Sequence, residues 1–283
     1  MKVLITGSSG QLGKEIMRQC SDQKKFECIP YDLPEFDLLN EEKVKRIIEK
    51  EKPDVIINCG AMTDVDACEK NEELAFKVNA EGPRIISEVI KDKDIVLVHL
   101  SSDYVFDGKG ILENGVRRPY YETDVAEPQS VYGKSKKRGE EYIQNNLKKY
   151  FIIRSAWLYG DGKNFVRTLL QLSETRSELK VVNDQIGSPT STVDLTMAIL
   201  ELIQTNHYGI YHATCEGECS WYDFAVEIFK IKNKEILIQP VNIQEYGNPT
   251  PRPKYSVLEN RELKHLGMNH FRYWKDALIE YLQ

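Results

Sequence analysis

KVLITGSSGQLG, residues 2–13, is a short apolar run followed by three glycines, Gly7, Gly10 and Gly13, and then by QLGKEIMRQC, whose apolar residues recur at helical spacing. Glycines between a strand and a helix permit a tight turn, let the backbone approach a pyrophosphate and bring the helix close to the sheet. The helix start then offers unpaired N–H groups to phosphates. A glycine triplet alone is equally a flexible turn. Here the strand and helix flank it, and FECIPYD supplies a second strand that places Asp32 nineteen residues beyond Gly13. That combination predicts a dinucleotide site. A carboxylate at Asp32 accepts from a ribose 2′-OH and repels a 2′-phosphate, which favours NADH over NADPH; the alternative is a turn residue before Pro34, with Lys24 and Lys25 able to fold toward the same place. Asp37 and Leu38, in FDLLN, read either as a polar and apolar pair for an adenine edge or as helix capping.

Outward from this stretch the pattern alternates. NEEKVKRIIEKEKPD is a second helix ending at Pro53, VIINCG and DIVLVHLSSDYVF are further buried strands, and NEELAFKVNAEGPRIISEVIKDK is a helix between them. Strands too apolar to face water, alternating with helices, imply a parallel sheet covered on both faces. Downstream come a strand in YFIIRSAWLYG, a helix from NFVRTLLQLS, a strand at LKVVND and a helix near STVDLTMAILELIQ, with more irregular loops. The expected fold is α/β, a doubly wound parallel Rossmann sheet with a smaller C-terminal substrate-binding lobe. Residues 1–154 form the dinucleotide-binding domain, and 155–283 are mainly the substrate lobe, with some segments returning to the first.

The 283 residues are enough for one large core or two modest ones, and 41% hydrophobic with 29% charged residues is an ordinary soluble composition. A formal charge of −6 argues against nucleic acid as a partner. No window approaches the roughly 20 apolar residues that span a bilayer, and no signal-peptide pattern opens the chain, so a cytoplasmic protein without a membrane partner is expected. The six cysteines (Cys20, Cys28, Cys59, Cys68, Cys215, Cys219) show no disulfide-like framework and are expected to be reduced. In HATCEGEC, His212, Cys215 and Cys219 fit no common zinc spacing and read as buried thiols and a turn.

SVYGKSKKRGE, residues 130–140, sets Tyr132 four residues before Lys136, on one face of a helix. With fifteen tyrosines in a lysine-rich chain this spacing says little by itself. Its position matters more: the strand in HLSSDYVFDG ends about 30 residues upstream, in the carboxyl-end region where open α/β sheets bind ligands. Hydride delivery to a ketone builds negative charge on oxygen. Tyr132 can supply the proton, the Lys136 ammonium lowers the phenol's pKa from its usual value of about 10 and holds the cofactor ribose, and Ser102 polarises the carbonyl.

At this point the chain resembles the extended short-chain dehydrogenase/reductase family over nearly its whole length. TGSSGQLG, NCGAMTDVDACE, SSDYVFDG, VYGKSK, RSAWLYG, NFV, VVNDQIGSPT, GIYHATCEGECSWYDFA and RPKYSVLEN follow its pattern in order. The resemblance implies a catalytic group of Ser102, Tyr132 and Lys136. It implies a cofactor site for NADPH or NADH lined by Gly10, Gln11, Leu12, Asp32, Asp37, Leu38, Ala61, Met62, Thr63 and Leu100. Val65, Asp103, Tyr104 and Trp157 then lie at the substrate, a dTDP-linked sugar reduced at its C4 ketone. Sugar-nucleotide dehydratases of the superfamily carry an Asp–Glu pair after the Ser or Thr, because elimination needs a further acid and base; here the pair is Asp103–Tyr104, which favours simple reduction. Trp157 reads as a cover for the sugar or as core. Arg252 reads as a ligand of the substrate diphosphate or as a surface salt bridge. Some relatives hold magnesium with carboxylates at a subunit interface, but STVDL offers only Asp194 nearby, which counts against a metal and against the interface it supports; the homo-oligomeric state stays open. Two further readings remain: a reductase of another nucleotide-linked 4-keto sugar, and a non-catalytic cofactor-binding regulatory subunit.

Overall fold

Val3, Leu4 and Ile5 are wholly buried because strand β1 (Lys2–Thr6) runs inside a sheet with helices on both faces. The computed structural model describes residues 1–247 and 250–283. β2 (Glu27–Tyr31) lies on one side of β1. On the other side, in order, lie β3 (Val55–Asn58), β4 (Val96–Ser102), β5 (Tyr150–Ser155) and β6 (Gly209–His212), all parallel. Side chains alternate between the faces along each strand. Val3, Ile5, Ile57, Val98 and Phe151 enter one core, with Leu12 and Ile16 of helix α1 (Gln11–Ser21). Leu4, Ile56, Leu97 and Ile152 enter another, against α2 (Glu41–Glu51), α3 (Gly82–Ile90) and α4 (Val131–Asn146). The doubly wound α/β fold is as expected.

Later segments serve both the sheet and the second lobe. α5 (Phe165–Leu172) borders the lobe, whereas α6 (Thr192–Leu202) packs on α1, and β6 completes the sheet beside β5. The lobe itself contains a parallel pair, Glu178–Val182 with Leu237–Val241, packed against α7 (Trp221–Ile231). Near the chain end, α8 (Trp274–Leu282) packs on α7. Among the described residues no helix is long and apolar enough to cross a membrane.

Three local features differ from the sequence reading. The single helix expected before residue 91 is broken into Glu72–Phe76, a π-turn at Lys77–Glu81 and α3, with Asn79 buried at the wide turn. A hairpin, Ile111–Glu113 with Val116–Arg118, turns through Asn114 and Gly115, both at positive φ, as a two-residue connection with a twist-matching turn requires. Cys20, at the end of α1, and Cys28, in β2, form a disulfide with their Cα atoms 6.3 Å apart, which corrects the expectation that all six cysteines are reduced. The turn from α1 into β2 brings them within bridging range, a folding-back that their separation in sequence does not announce.

Candidate active site

The glycine turn sits where the strand order reverses, between the carboxyl ends of β1 and β3, the usual crevice of an open parallel sheet. Gly7 has φ +62°, and a Cβ there would lie 2.8 Å from the Gly60 nitrogen; a Cβ on Gly13 would lie 2.4 Å from the Gly7 carbonyl oxygen. Neither position tolerates a side chain. Gly10 is the N-cap of α1 and supplies no side-chain cap, so the first-turn N–H groups are left for a ligand. Such a cradle fits a dinucleotide pyrophosphate. Gln11 and Leu12 can serve it only through the backbone. Gln11 Oε1 accepts from Gly160 N at 3.0 Å and Asn164 Nδ2 at 3.1 Å, tying the turn to the second lobe, and the Leu12 side chain is core.

Asp32 follows β2 and faces the same turn. Its Oδ2 accepts from the Ser9 backbone N at 2.9 Å and from the Ser9 hydroxyl, and its Oδ1 from Leu33 N at 2.9 Å. Burial works to raise its pKa, but these hydrogen bonds prevail and hold the carboxyl below the ordinary value, so it is anionic at neutral pH. Leu38 packs over the bare backbone of Gly60 and Gly82, while one carboxylate oxygen of Asp37 accepts from Leu39 N at 3.0 Å and holds the turn before α2. Past β3, the Ala61–Met62–Thr63 segment is clamped by Asn79, which accepts from Met62 N at 2.8 Å and donates to Met62 O and to Ser135 Oγ, each at 3.0 Å. Sequence reading missed this clamp; its one signal was a polar Asn amid an otherwise helical KVNAEGP.

Ser102, Tyr132 and Lys136 come together beyond β4. Ser102 is the last residue of that strand, and its Oγ donates to Asp103 Oδ1 at 2.8 Å, accepts from Tyr104 N at 3.2 Å and lies beside the Tyr132 hydroxyl. Tyr132 occupies the first turn of α4, capped by Ser130, whose Oγ accepts from Gly133 N at 3.1 Å. Lys136, one turn on, is 2% exposed; its Nζ donates to the Leu100 carbonyl at 2.5 Å. Burial raises the Tyr132 phenol well above its usual value, with Ser102 acting against the rise and Asp103 adding to it. The net direction is opposite to the lowering expected from Lys136. Burial likewise lowers Lys136 to about 8. A second serine fixes the helix: Ser101 Oγ donates to Glu140, which is buried in a 2.7 Å ion pair with Arg154 of β5.

A cleft of about 790 Å³ opens beside this group, lined by Asp66, Tyr104, Phe165, Arg176, Lys180, Trp221 and Arg252 among others. Tyr104 meets the Tyr132 ring edge-on at 5.4 Å, and Val65 and Met62 pack on the same cluster. Arg252 reaches Asp66 at 3.0 Å and the Tyr104 hydroxyl at 3.4 Å, so the ion pair and the cleft position hold together. The tryptophan facing the cleft is Trp221, with Trp157 stacked on it at 3.5 Å and Gly187 pressed against the Trp157 indole. Trp157 itself has φ +47°, a left-handed backbone that a bulky residue adopts at a cost, and it supports Trp221 from behind. Sequence reading missed Trp221, Arg176 and Lys180.

Asp103 is 2% exposed, and burial raises its pKa from 3.8 to about 6, with the neighbouring Ser256 and Ser102 hydroxyls acting against the rise. Between those values the native protein retains a proton that the unfolded chain has released, so stability falls as pH rises through the window. Asp103→Asn is therefore expected to raise Tm above pH 6 and to leave it unchanged below pH 3.8, a difference that melting curves across pH would read.

Asp194 is buried against Arg272, with Nε to Oδ1 at 2.9 Å, and among the described residues no three His, Cys, Asp or Glu side chains converge as a metal site would need.

The family described as RmlD substrate binding domain matches residues 1–283. The chain is 43% identical over 283 residues to the spore coat polysaccharide biosynthesis protein SpsK of Bacillus subtilis (strain 168), covering 100% of this chain and 97% of that protein. It superimposes on a solved dTDP-4-dehydrorhamnose reductase of Clostridium acetobutylicum with a TM-score of 0.95 at 46% identity, covering 100% and 98% of the two chains. For a dTDP-4-dehydrorhamnose reductase of Bacillus anthracis solved in complex with NADP the TM-score is 0.94 at 37% identity, over 99% and 98%.

Proposed function

Because the chain belongs to the RmlD substrate binding domain family over its whole length, we infer that it is an NAD(P)H-dependent reductase of the C4 ketone of dTDP-4-dehydro-6-deoxy-L-mannose, yielding dTDP-L-rhamnose. The observation that carries this reading is the meeting of Ser102, Tyr132 and Lys136 at the carboxyl end of β4, next to a glycine turn shaped for a pyrophosphate. When bound, the nicotinamide supplies the hydride. With the ketone bound, Ser102 turns its one hydroxyl proton from Asp103 to the ketone oxygen, and Tyr132 protonates that oxygen as charge builds on it. Lys136 holds the cofactor ribose and the charge balance beneath the phenol. Backbone N–H groups of Gln11 and Leu12 meet the pyrophosphate, and Leu38 and Ala61 to Thr63 flank the adenosine side. Arg252, with Arg176 and Lys180 in the same cleft, faces the sugar's diphosphate, and Trp221 backed by Trp157 walls the sugar. The protein acts in the cytoplasm, and its product serves polysaccharide biosynthesis.

Following nicotinamide absorbance with a panel of dTDP-, UDP- and GDP-linked 4-keto sugars tests this directly. The dTDP-linked hexulose is expected to be the best substrate; turnover of none of them would defeat the assignment. The anionic Asp32 bears on the cofactor. Asp32→Ala is expected to improve kcat/KM for NADPH relative to NADH about tenfold, equivalent to about 1.4 kcal/mol of relieved repulsion toward a 2′-phosphate. An unmoved ratio would return Asp32 to a turn role.

A further inference from the structure

Behind Lys136 stand three buried side chains that the chemistry above does not use. Thr6 and Asn58 are each 1% exposed and His99 is 0% exposed. Thr6 Oγ1 donates to Asn58 Oδ1 at 2.7 Å, and the Gly60 backbone N–H reaches the same atom at 3.2 Å. A backbone N–H only donates, so this atom of Asn58 must be the carbonyl oxygen, and the NH₂ group faces the other way. There it lies 3.1 Å from His99 Nδ1. An amide NH₂ offers no lone pair, so Nδ1 accepts and the single ring proton sits on Nε2. Nε2 in turn lies 3.4 Å from Lys136 Nζ. An N–H aimed at an ammonium sets donor against donor, whereas it can donate to the lone pair of an amine.

We propose that His99 is a positioning residue for the reductase reaction: Asn58 fixes its ring with the proton on Nε2, and this N–H favours the amine form of Lys136. The proposal rests on the functional reading above only for its consequence, since the hydrogen-bond chain exists without a substrate. Burial already lowers Lys136, and the imidazole N–H acts in the same direction. The other groups facing Lys136 do not replace this effect. Cys59 and Cys68 are thiols that burial pushes up to about 12 and about 11, Tyr132 is a neutral phenol, and Glu140 is engaged by Arg154. Burial and the nearby Lys136 keep His99 itself from protonating. As the ammonium, Lys136 passes a proton to the phenolate that turnover leaves on Tyr132; the amine so formed accepts from His99 Nε2–H, and a proton from solvent restores the ammonium.

NMR of the protein labelled with ¹⁵N-histidine and saturated with NADPH tests the tautomer. His99 is expected as a neutral ring protonated on Nε2 from about pH 6 to about pH 9; a proton on Nδ1, or an imidazolium, overturns the proposal. This readout needs no sugar substrate, so a failed reductase assignment would leave it standing on its own. The alkaline limb of kcat against pH supplies the second test. His99→Phe removes the N–H, and Asn58→Asp makes the ring turn its Nε2 lone pair toward Nζ; each is expected to move the limb up by about one pH unit. Lower kcat or Tm with the limb in place marks a merely structural role and also overturns the proposal. Should one variant fail to fold, the other reads the limb.

Discussion

Tyr132→Phe is expected to lower kcat by about a thousandfold while leaving NADPH affinity within a factor of a few, because a positioned general acid contributes roughly 10² to 10⁴ in rate. Phenylalanine fills the same buried space and keeps the edge-on contact with Tyr104, and the Ser130 cap of α4 does not involve the phenol. What disappears is the hydroxyl beside Ser102. Burial keeps that phenol protonated throughout the working range, so the proton is always at hand and no loss of activity on the acid side arises from Tyr132. Steady-state turnover beside a fluorescence titration of NADPH separates the two effects. Turnover near the wild-type level would remove Tyr132 from the chemistry.

Gly133→Ala is the second large effect, and it involves no reacting group. A Cβ at this position would lie 2.1 Å from the Tyr104 carbonyl oxygen and 3.0 Å from Pro128 Cβ. The oxygen belongs to the short helical turn Asp103–Val105, which is held by Ser102, so it cannot swing aside. Nor can α4 slide away freely, since Glu140 anchors it to Ser101 and Arg154. Either the helix or the turn must shift, and Tyr132 and Lys136 lie on one side of that contact with Ser102 on the other. Overpacking of this kind costs about 1–3 kcal/mol, and a displacement of about 1 Å at a reacting centre costs about a hundredfold in rate. Both losses are expected together in Gly133→Ala, by thermal melting and by turnover. Lys134→Ala, at the exposed neighbouring position, is expected to change neither.

The parts of the site legible in the sequence are those fixed by neighbours along the chain. The Gly7–Gly13 turn needs only a strand before it and a helix after it, and Tyr132 with Lys136 needs only one helical turn. Ser102 was legible because a strand end is where open sheets place ligands. Groups set by distant packing were not. Asn58, Asn79 and His99 look like ordinary strand or helix residues until β3, β4 and α4 lie side by side. Trp157 and Trp221 are 64 positions apart, and only their stacking shows which of them meets the cleft. The Leu237–Val241 strand was hidden for a similar reason: its partner, Glu178–Val182, lies across α7, and a five-residue run of mixed polarity carries no period of its own.

The place of β6 governs how this molecule can be made. It is one of the two edge strands of the main sheet, yet it is the last of the six to leave the ribosome, after the lobe residues that precede it. Until residue 212 has emerged, β5 presents an open row of backbone donors and acceptors to any other nascent chain. Assembly of the nucleotide half during synthesis therefore waits on a piece delivered late, and premature termination between residues 155 and 209 would release a fragment primed to aggregate.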